Sequence, residues 1–131
     1  MPESRTLDAT RRYRVLAAED DPQLRLMLED ALSHDGFDAC CVPDGLAARE
    51  TFASSGPYDV LLLDDRMPHM SGRQLLHTLR EAGEAVPALI LSGNCDLDDE
   101  ERASLSPVAV LRKPARLQDI SRALREVVEA G

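Results

Sequence analysis

Apolar and polar positions alternate along this chain in two rhythms: short unbroken apolar runs, and longer stretches with an apolar residue every three or four places. The first run, "YRVLAA" at 13–18, reads as a strand halted by Glu19, Asp20 and Asp21. Pro22 suits the first position of a helix, with Asp21 as its cap. Leu24, Met27, Leu28, Ala31 and Leu32 then fall on one helical face, with Leu26 off it, and Gly36 ends the helix. "FDACCV" predicts a second strand, broken by Pro43-Asp44-Gly45, and a helix carrying Ala48, Thr51 and Phe52 runs on to Ser55.

The unit repeats. "YDVLLLD" is a continuous apolar strand of the kind buried on both faces of a parallel sheet. "GRQLLHTLREAG" is a helix ending at Gly83, and "VPALILS" is the next buried strand. Residues 94–106 predict a helix with a thin apolar face, since all but Leu97 between Asp96 and Glu101 are acidic. "VAVLR" forms the last strand, and Leu117, Ile120, Leu124, Val127 and Val128 line one face of a closing helix. Five strand-helix units imply an α/β fold, a doubly wound five-stranded parallel sheet with right-handed crossovers. Residues 13–131 form this single domain, behind a polar, flexible leader at 1–12. In such sheets the ligand site lies beyond the carboxyl ends of the strands, at the switch point in strand order.

Composition narrows the classes. A net charge of −9 with no basic, aromatic stripe argues against a nucleic-acid surface. No apolar run spans a bilayer and the first residues lack the apolar middle of a signal peptide, which places the chain in the cytoplasm and off the membrane. Cys40, Cys41 and Cys95 match neither a disulfide framework nor a zinc spacing and read as free thiols, the adjacent pair facing opposite sides of a strand.

The candidate chemistry sits at the predicted carboxyl ends: Glu19-Asp20-Asp21, Asp64-Asp65, Ser92 and Lys113-Pro114. Carboxylates about 4 Å apart repel by about 4 kcal/mol at an effective dielectric near 20, so a converging set calls for a cation. An all-oxygen shell favours Mg²⁺, which keeps several waters and takes one or two carboxylates plus a phosphate oxygen. Lys113 then supplies a point charge and Ser92 a hydroxyl donor for a bound anion, a set suited to phosphoryl chemistry. Alternation along the strand turns Asp65 away from Asp64.

"VLAAEDD", "LLLDDRMPHMSG", "LILSG" and "VLRKP" resemble, in order and spacing, the motifs of the receiver domain of bacterial two-component response regulators, across residues 13–129. The resemblance implies the flavodoxin-like receiver fold. It implies that Asp64, not Asp65, accepts a phosphoryl group from a phosphohistidine on a sensor histidine kinase or histidine phosphotransfer protein. Asp20, Asp64 and the backbone carbonyl of Arg66 would ligate Mg²⁺, with Glu19 acting through a bound water. Ser92 and Lys113 would contact phosphoryl oxygens, and Lys113-Pro114 would be a cis bond. The module would signal to an unidentified output protein by contact, with no enzymatic activity beyond its own phosphorylation and dephosphorylation.

The chain also departs from that family. Val110 stands where an aromatic residue three places before the lysine is usual, and Ala115 stands where Phe usually follows the K-P pair. With no large side chain to swing at Val110, phosphorylation is expected to change the face of the fourth helix, fifth strand and fifth helix less than is usual. Arg66, two residues past Asp64, is expected to shield the phosphoryl group and slow its hydrolysis. Two alternatives carry different chemistry. A Mg²⁺-dependent phosphatase or phosphotransferase with an aspartate nucleophile needs a second acid in D-x-D, where Arg66 stands; a docking-only pseudo-receiver has no need of the full acidic, Ser92 and Lys113 set. The pattern fits equally a stand-alone receiver, a relay, or the terminal receiver of a hybrid histidine kinase.

Overall fold

In the computed structural model, which describes residues 12–93 and 97–130, the chain alternates strand and helix five times: β1 Arg14–Ala18, α1 Pro22–His34, β2 Asp38–Val42, α2 Gly45–Ser55, β3 Val60–Asp64, α3 Gly72–Glu81, β4 Ala88–Ser92, α4 Asp99–Leu105, β5 Val108–Arg112 and α5 Leu117–Ala130. The strands form one parallel sheet in the order β2-β1-β3-β4-β5. The chain first winds outward from β1 to β2, then returns past β1 to β3, so the switch point lies between β1 and β3. The expected leader falls on residues 1–11, outside the described residues, apart from Arg12, whose guanidinium donates to the carbonyls of Ser33 and Phe37.

Four of the five helices begin where a side chain takes up free N–H groups. Asp21 accepts from the N–H of Gln23 and Leu24 ahead of α1, Asp44 from Ala47 ahead of α2, and Asp98 from Glu101 ahead of α4. Ser71 and Gln74 form a reciprocal capping box at α3. Gly36 and Gly83, at φ of 95° and 88°, carry the chain out of α1 and α3 in the left-handed region.

Strand alternation divides the core into two layers. Leu16, Leu61, Leu63 and Ile90 face α2, α3 and α4, while Val15, Ala17, Val60, Leu62 and Leu89 face α1 and α5. β3 and β4 are buried along their whole lengths. Cys40 and Cys41 point into opposite layers as expected, and burial pushes the Cys41 thiol up to about 12. Cys95 lies outside the described residues.

Two helical stripes are shorter than their periodicity predicts. α1 buries only Leu28 and Leu32, whereas Leu24 is 42% and Met27 58% exposed; on α5, Ile120, Leu124 and Val127 are buried but Leu117 is 42% exposed. These outer residues stand together beside Pro114 and Ala115, whose small side chains leave them uncovered. α4 is a seven-residue helix that buries Leu105, with Leu97 packed below it, in keeping with its thin apolar face. None of the described helices is long and apolar enough to cross a membrane.

Candidate functional site

Register brings the site together. Ala18 pairs with Leu63, so the next residues, Glu19 and Asp64, leave adjacent strands side by side. Ser92 pairs with Arg112 at the end of β4, and the N–H of Lys113 donates to the Ser92 carbonyl at 2.8 Å. The N–H of Glu19 likewise donates to Val42 at 2.9 Å, and that of Asp65 to Leu91 at 2.9 Å. The ladder therefore continues one residue past the strands, and the side chains at their ends are held on a rigid edge.

Carboxylate oxygens of Glu19, Asp20 and Asp64 all lie within 4.8 Å of one another. Glu19 is 3% and Asp64 4% exposed, while Asp20 is exposed. Lys113 Nζ sits 2.9 Å from Asp64 Oδ1, and the N–H of Arg66 donates to the same oxygen at 3.2 Å. The N–H of Asp21 donates to Glu19 Oε2 at 3.0 Å. Burial raises the Glu19 pKa above its usual value, that N–H opposes the rise, and the charge of Asp64 adds to it. One ammonium thus faces three converging carboxylates, and the donors are all hard oxygens. That set fits a small divalent cation such as Mg²⁺, with Glu19, Asp20 and Asp64 as the residues that would hold it or its waters.

Asp64, Arg66, Ser92, Gly93 and Lys113 line an open cleft of about 290 Å³ beside this cluster, and Ser92 is buried in its wall. Every side chain assigned to the site by sequence is thus gathered at one edge. Asp65 is half-buried and takes no part in the acidic cluster, as alternation predicts. Lys113-Pro114 is cis, as the motif implies.

Gly72, at the start of α3, is required by close approach: a Cβ there would lie 2.8 Å from the Asp64 carbonyl oxygen and 2.9 Å from Leu63 Cβ. The helix is thereby seated directly against the strand end that carries Asp64.

Sequence reasoning missed how the β3–α3 loop is braced. His69 adopts a φ of 69°, and its Nδ1 lies 3.3 Å from Asp44 Oδ2. At Gly45 a Cβ would lie 2.3 Å from the Met70 carbonyl oxygen, so only glycine lets that loop close on α2. The Asp44-Gly45 pair was legible only as a strand breaker.

Leu24, Met27, Leu28, Leu91, Pro114, Ala115, Leu117 and Ile120 line an apolar groove of about 510 Å³ between α1 and the β5–α5 loop. Glu19 and Lys113 also line it, so the groove borders the acidic cluster.

Comparison with known proteins agrees with this geometry. Residues 15–125 match the family model of the response regulator receiver domain. The transcriptional regulatory protein TctD of Salmonella typhimurium is 34% identical over 116 residues, 88% of this chain and 51% of that protein. The sensor histidine kinase TmoS of Ectopseudomonas mendocina is 41% identical over 85 residues, 63% of this chain and 8% of that protein. The chain thus spans about half the length of the regulator and a small part of the kinase. Among solved structures, a Francisella response regulator receiver domain superposes with a TM-score of 0.80 at 26% identity, covering 91% of this chain and 98% of that one. The receiver domain of a Pseudomonas aeruginosa sensor histidine kinase, with a magnesium ion coordinated in its active-site cleft, superposes at 0.73 and 27% identity, covering 91% and 99%.

Proposed function

Because the chain belongs to the response regulator receiver domain family, we propose that Asp64 is the residue that takes up a phosphoryl group, from a phosphohistidine on a sensor histidine kinase or a histidine phosphotransfer protein. An oxygen of the Asp64 carboxylate attacks phosphorus, the phosphorus–nitrogen bond breaks, and the imidazole leaves with the electron pair. The product is an acyl phosphate on Asp64. The observation that carries this reading is the convergence of Glu19, Asp20 and Asp64 with Lys113 2.9 Å from Asp64.

Bound Mg²⁺ supplies charge neutralisation for the transferring group. The chain's own residues do the rest. Glu19 and Asp20 hold the cation or its waters, Asp64 is both ligand and nucleophile, and the Arg66 backbone carbonyl completes the set. Lys113 moves its charge from the Asp64 carboxylate to a phosphoryl oxygen, and Ser92 donates its hydroxyl to another. The Arg66 side chain, exposed at the mouth of the cleft, shields the phosphoryl group from water. An Arg66→Ala variant with an unchanged aspartyl-phosphate lifetime would remove that last role.

The apolar groove beside the acidic cluster exposes Leu24, Met27 and Leu117. We assign donor docking to that groove, and signalling to contact with a further protein. The test is mass measurement after incubation with acetyl phosphate and Mg²⁺. One added phosphoryl group is expected, absent in Asp64→Asn; its persistence in that variant overturns the assignment. Met27→Asp is expected to keep uptake from acetyl phosphate and to slow transfer from a phosphohistidine protein.

A further inference from the structure

The acidic cluster is held from below by a residue that contributes no ligand. Arg25 lies one turn into α1, where its own N–H donates to the Asp21 carbonyl at 2.8 Å. Its guanidinium folds back beneath the β1–α1 loop. Nη1 donates to the carbonyl of Glu19 at 2.9 Å and approaches that of Asp20 at 3.5 Å. These are the two residues that bring acid to Asp64 from the neighbouring strand.

The Glu19 peptide is thereby fixed at both ends. Its N–H is held by Val42 of β2 at 2.9 Å, and its carbonyl by Arg25 of α1 at 2.9 Å. Its carboxylate is oriented in turn by the N–H of Asp21. With the backbone clamped and one oxygen held, the Glu19 and Asp20 side chains start from a fixed platform while like charge drives them apart. A guanidinium is suited to this, because it stays charged and its Nη1 carries two hydrogens that can be directed at the two neighbouring carbonyls.

From this arrangement we propose that Arg25 is a positioning residue for the Mg²⁺ loop: by gripping the carbonyls of Glu19 and Asp20 it holds their carboxylates in binding geometry. The inference rests on the reading of Glu19, Asp20 and Asp64 as a Mg²⁺ site. It differs in sign from a through-space effect. A positive charge near the cluster opposes cation binding, so if charge were its whole influence, removing Arg25 would tighten Mg²⁺. If positioning dominates, removing it weakens Mg²⁺, as the loss of residues that orient metal ligands commonly does, by roughly 10-fold.

The experiment is calorimetric titration of the chain with Mg²⁺, alongside thermal melting in EDTA, for wild type, Arg25→Met and Arg25→Lys. Arg25→Met keeps most of the aliphatic stem and loses every donor; Arg25→Lys keeps the charge and a donor group on a shorter side chain without the planar geometry. A Kd about 10-fold higher in Arg25→Met, partly recovered in Arg25→Lys, is expected. A merely structural role would lower the melting temperature in EDTA and leave Kd unchanged in both variants. An unchanged or tighter Kd in Arg25→Met overturns the proposal while leaving the site reading intact. A wild-type chain that takes up no Mg²⁺ overturns the site reading, and the role of Arg25 with it. Should Arg25→Met fail to fold, Arg25→Lys decides: a Kd equal to wild type overturns the proposal, and a raised one supports it.

Discussion

Lys113 and Asp64 stand at the ends of β5 and β3, two strands apart in the sheet, and their side chains meet at 2.9 Å across the end of β4. The pair is unequal: the Asp64 side chain is buried, while that of Lys113 is 37% exposed. Lys113 therefore offsets part of the charge at the strand ends and can swing outward, while Asp64 stays fixed beside Glu19 and Asp20.

Asp64→Asn is expected to stabilise the chain in EDTA. Asp64 is within 4.8 Å of two other carboxylates, and at that distance each repulsion amounts to roughly 3.5 kcal/mol at an effective dielectric of about 20. The attraction to Lys113 at 2.9 Å is about 6 kcal/mol on the same scale, and the exposure of Asp20 and Lys113 screens both sides. The balance, together with the desolvation of a buried carboxylate, favours the neutral amide by about 1 kcal/mol. Urea unfolding in EDTA and in saturating Mg²⁺ checks this. The gap should narrow or reverse in Mg²⁺, because only the wild type gains full binding energy from the ion; a less stable variant in EDTA refutes it.

Arg80 is a second long-range tie, at the opposite edge of the sheet from the site. Its Nε donates to Leu105 at 2.9 Å, Nη1 to Glu84 at 2.8 Å, and Nη2 to Val86 at 2.7 Å and Pro107 at 3.2 Å, joining the exit of α3 to the exit of α4. Burial lowers its pKa, a desolvation cost that these carbonyls offset. Lysine cannot reach them together. Arg80→Lys is expected to lose about 2 kcal/mol in urea unfolding, and Arg80→Ala about 3 kcal/mol, through donors and acceptors left without partners. Uptake of phosphoryl from acetyl phosphate at saturating Mg²⁺ should not change in either.

Val110 packs half-buried against the layer that holds Leu97 and Leu105. A β-branched side chain of this size is restricted at χ1 and has little reach, so it offers no large side-chain swing on this face. Amide shifts on beryllofluoride and Mg²⁺ binding are expected to be large for 64–66, 92–93 and 113, and small across α4, β5 and α5. Large shifts across that face would refute this.

The residues of the site were legible because all of them sit where an apolar run ends. Parallel topology sends every such end to one edge, so Glu19, Asp20, Asp64, Ser92 and Lys113 converge without any contact having to be known. The exposed Leu24, Met27 and Leu117 were not legible. Periodicity identifies the face of a helix but not how far along its length a neighbour covers that face, and here the cover stops at Ala115. Arg25, Arg80 and the Asp44–His69 contact escaped for a different reason. Two of them are side chains bonded to backbone carbonyls and the third joins separate loops, and none leaves a spacing or composition signal.

Asp44 does two jobs, and its pH dependence separates it from an ordinary surface acid. Oδ1 accepts from the N–H of Ala47 at 2.8 Å to cap α2, and Oδ2 meets His69 at 3.3 Å. The N–H of Ala47 first, and His69 after it, hold the carboxyl below its usual pKa of 3.8. A lowered pKa in the folded state means that the unfolded chain binds the proton more readily, so this contribution is present above the unfolded value and fades as pH falls through the folded one. Asp44→Ala is therefore expected to cost about 1 kcal/mol at pH 7, the usual worth of such a cap. The difference from wild type should narrow below about pH 4, where the unfolded carboxyl takes up its proton. Urea unfolding of both chains at pH 7 and at pH 3 measures this, and a gap that holds constant between the two would show that the cap acts without its charge.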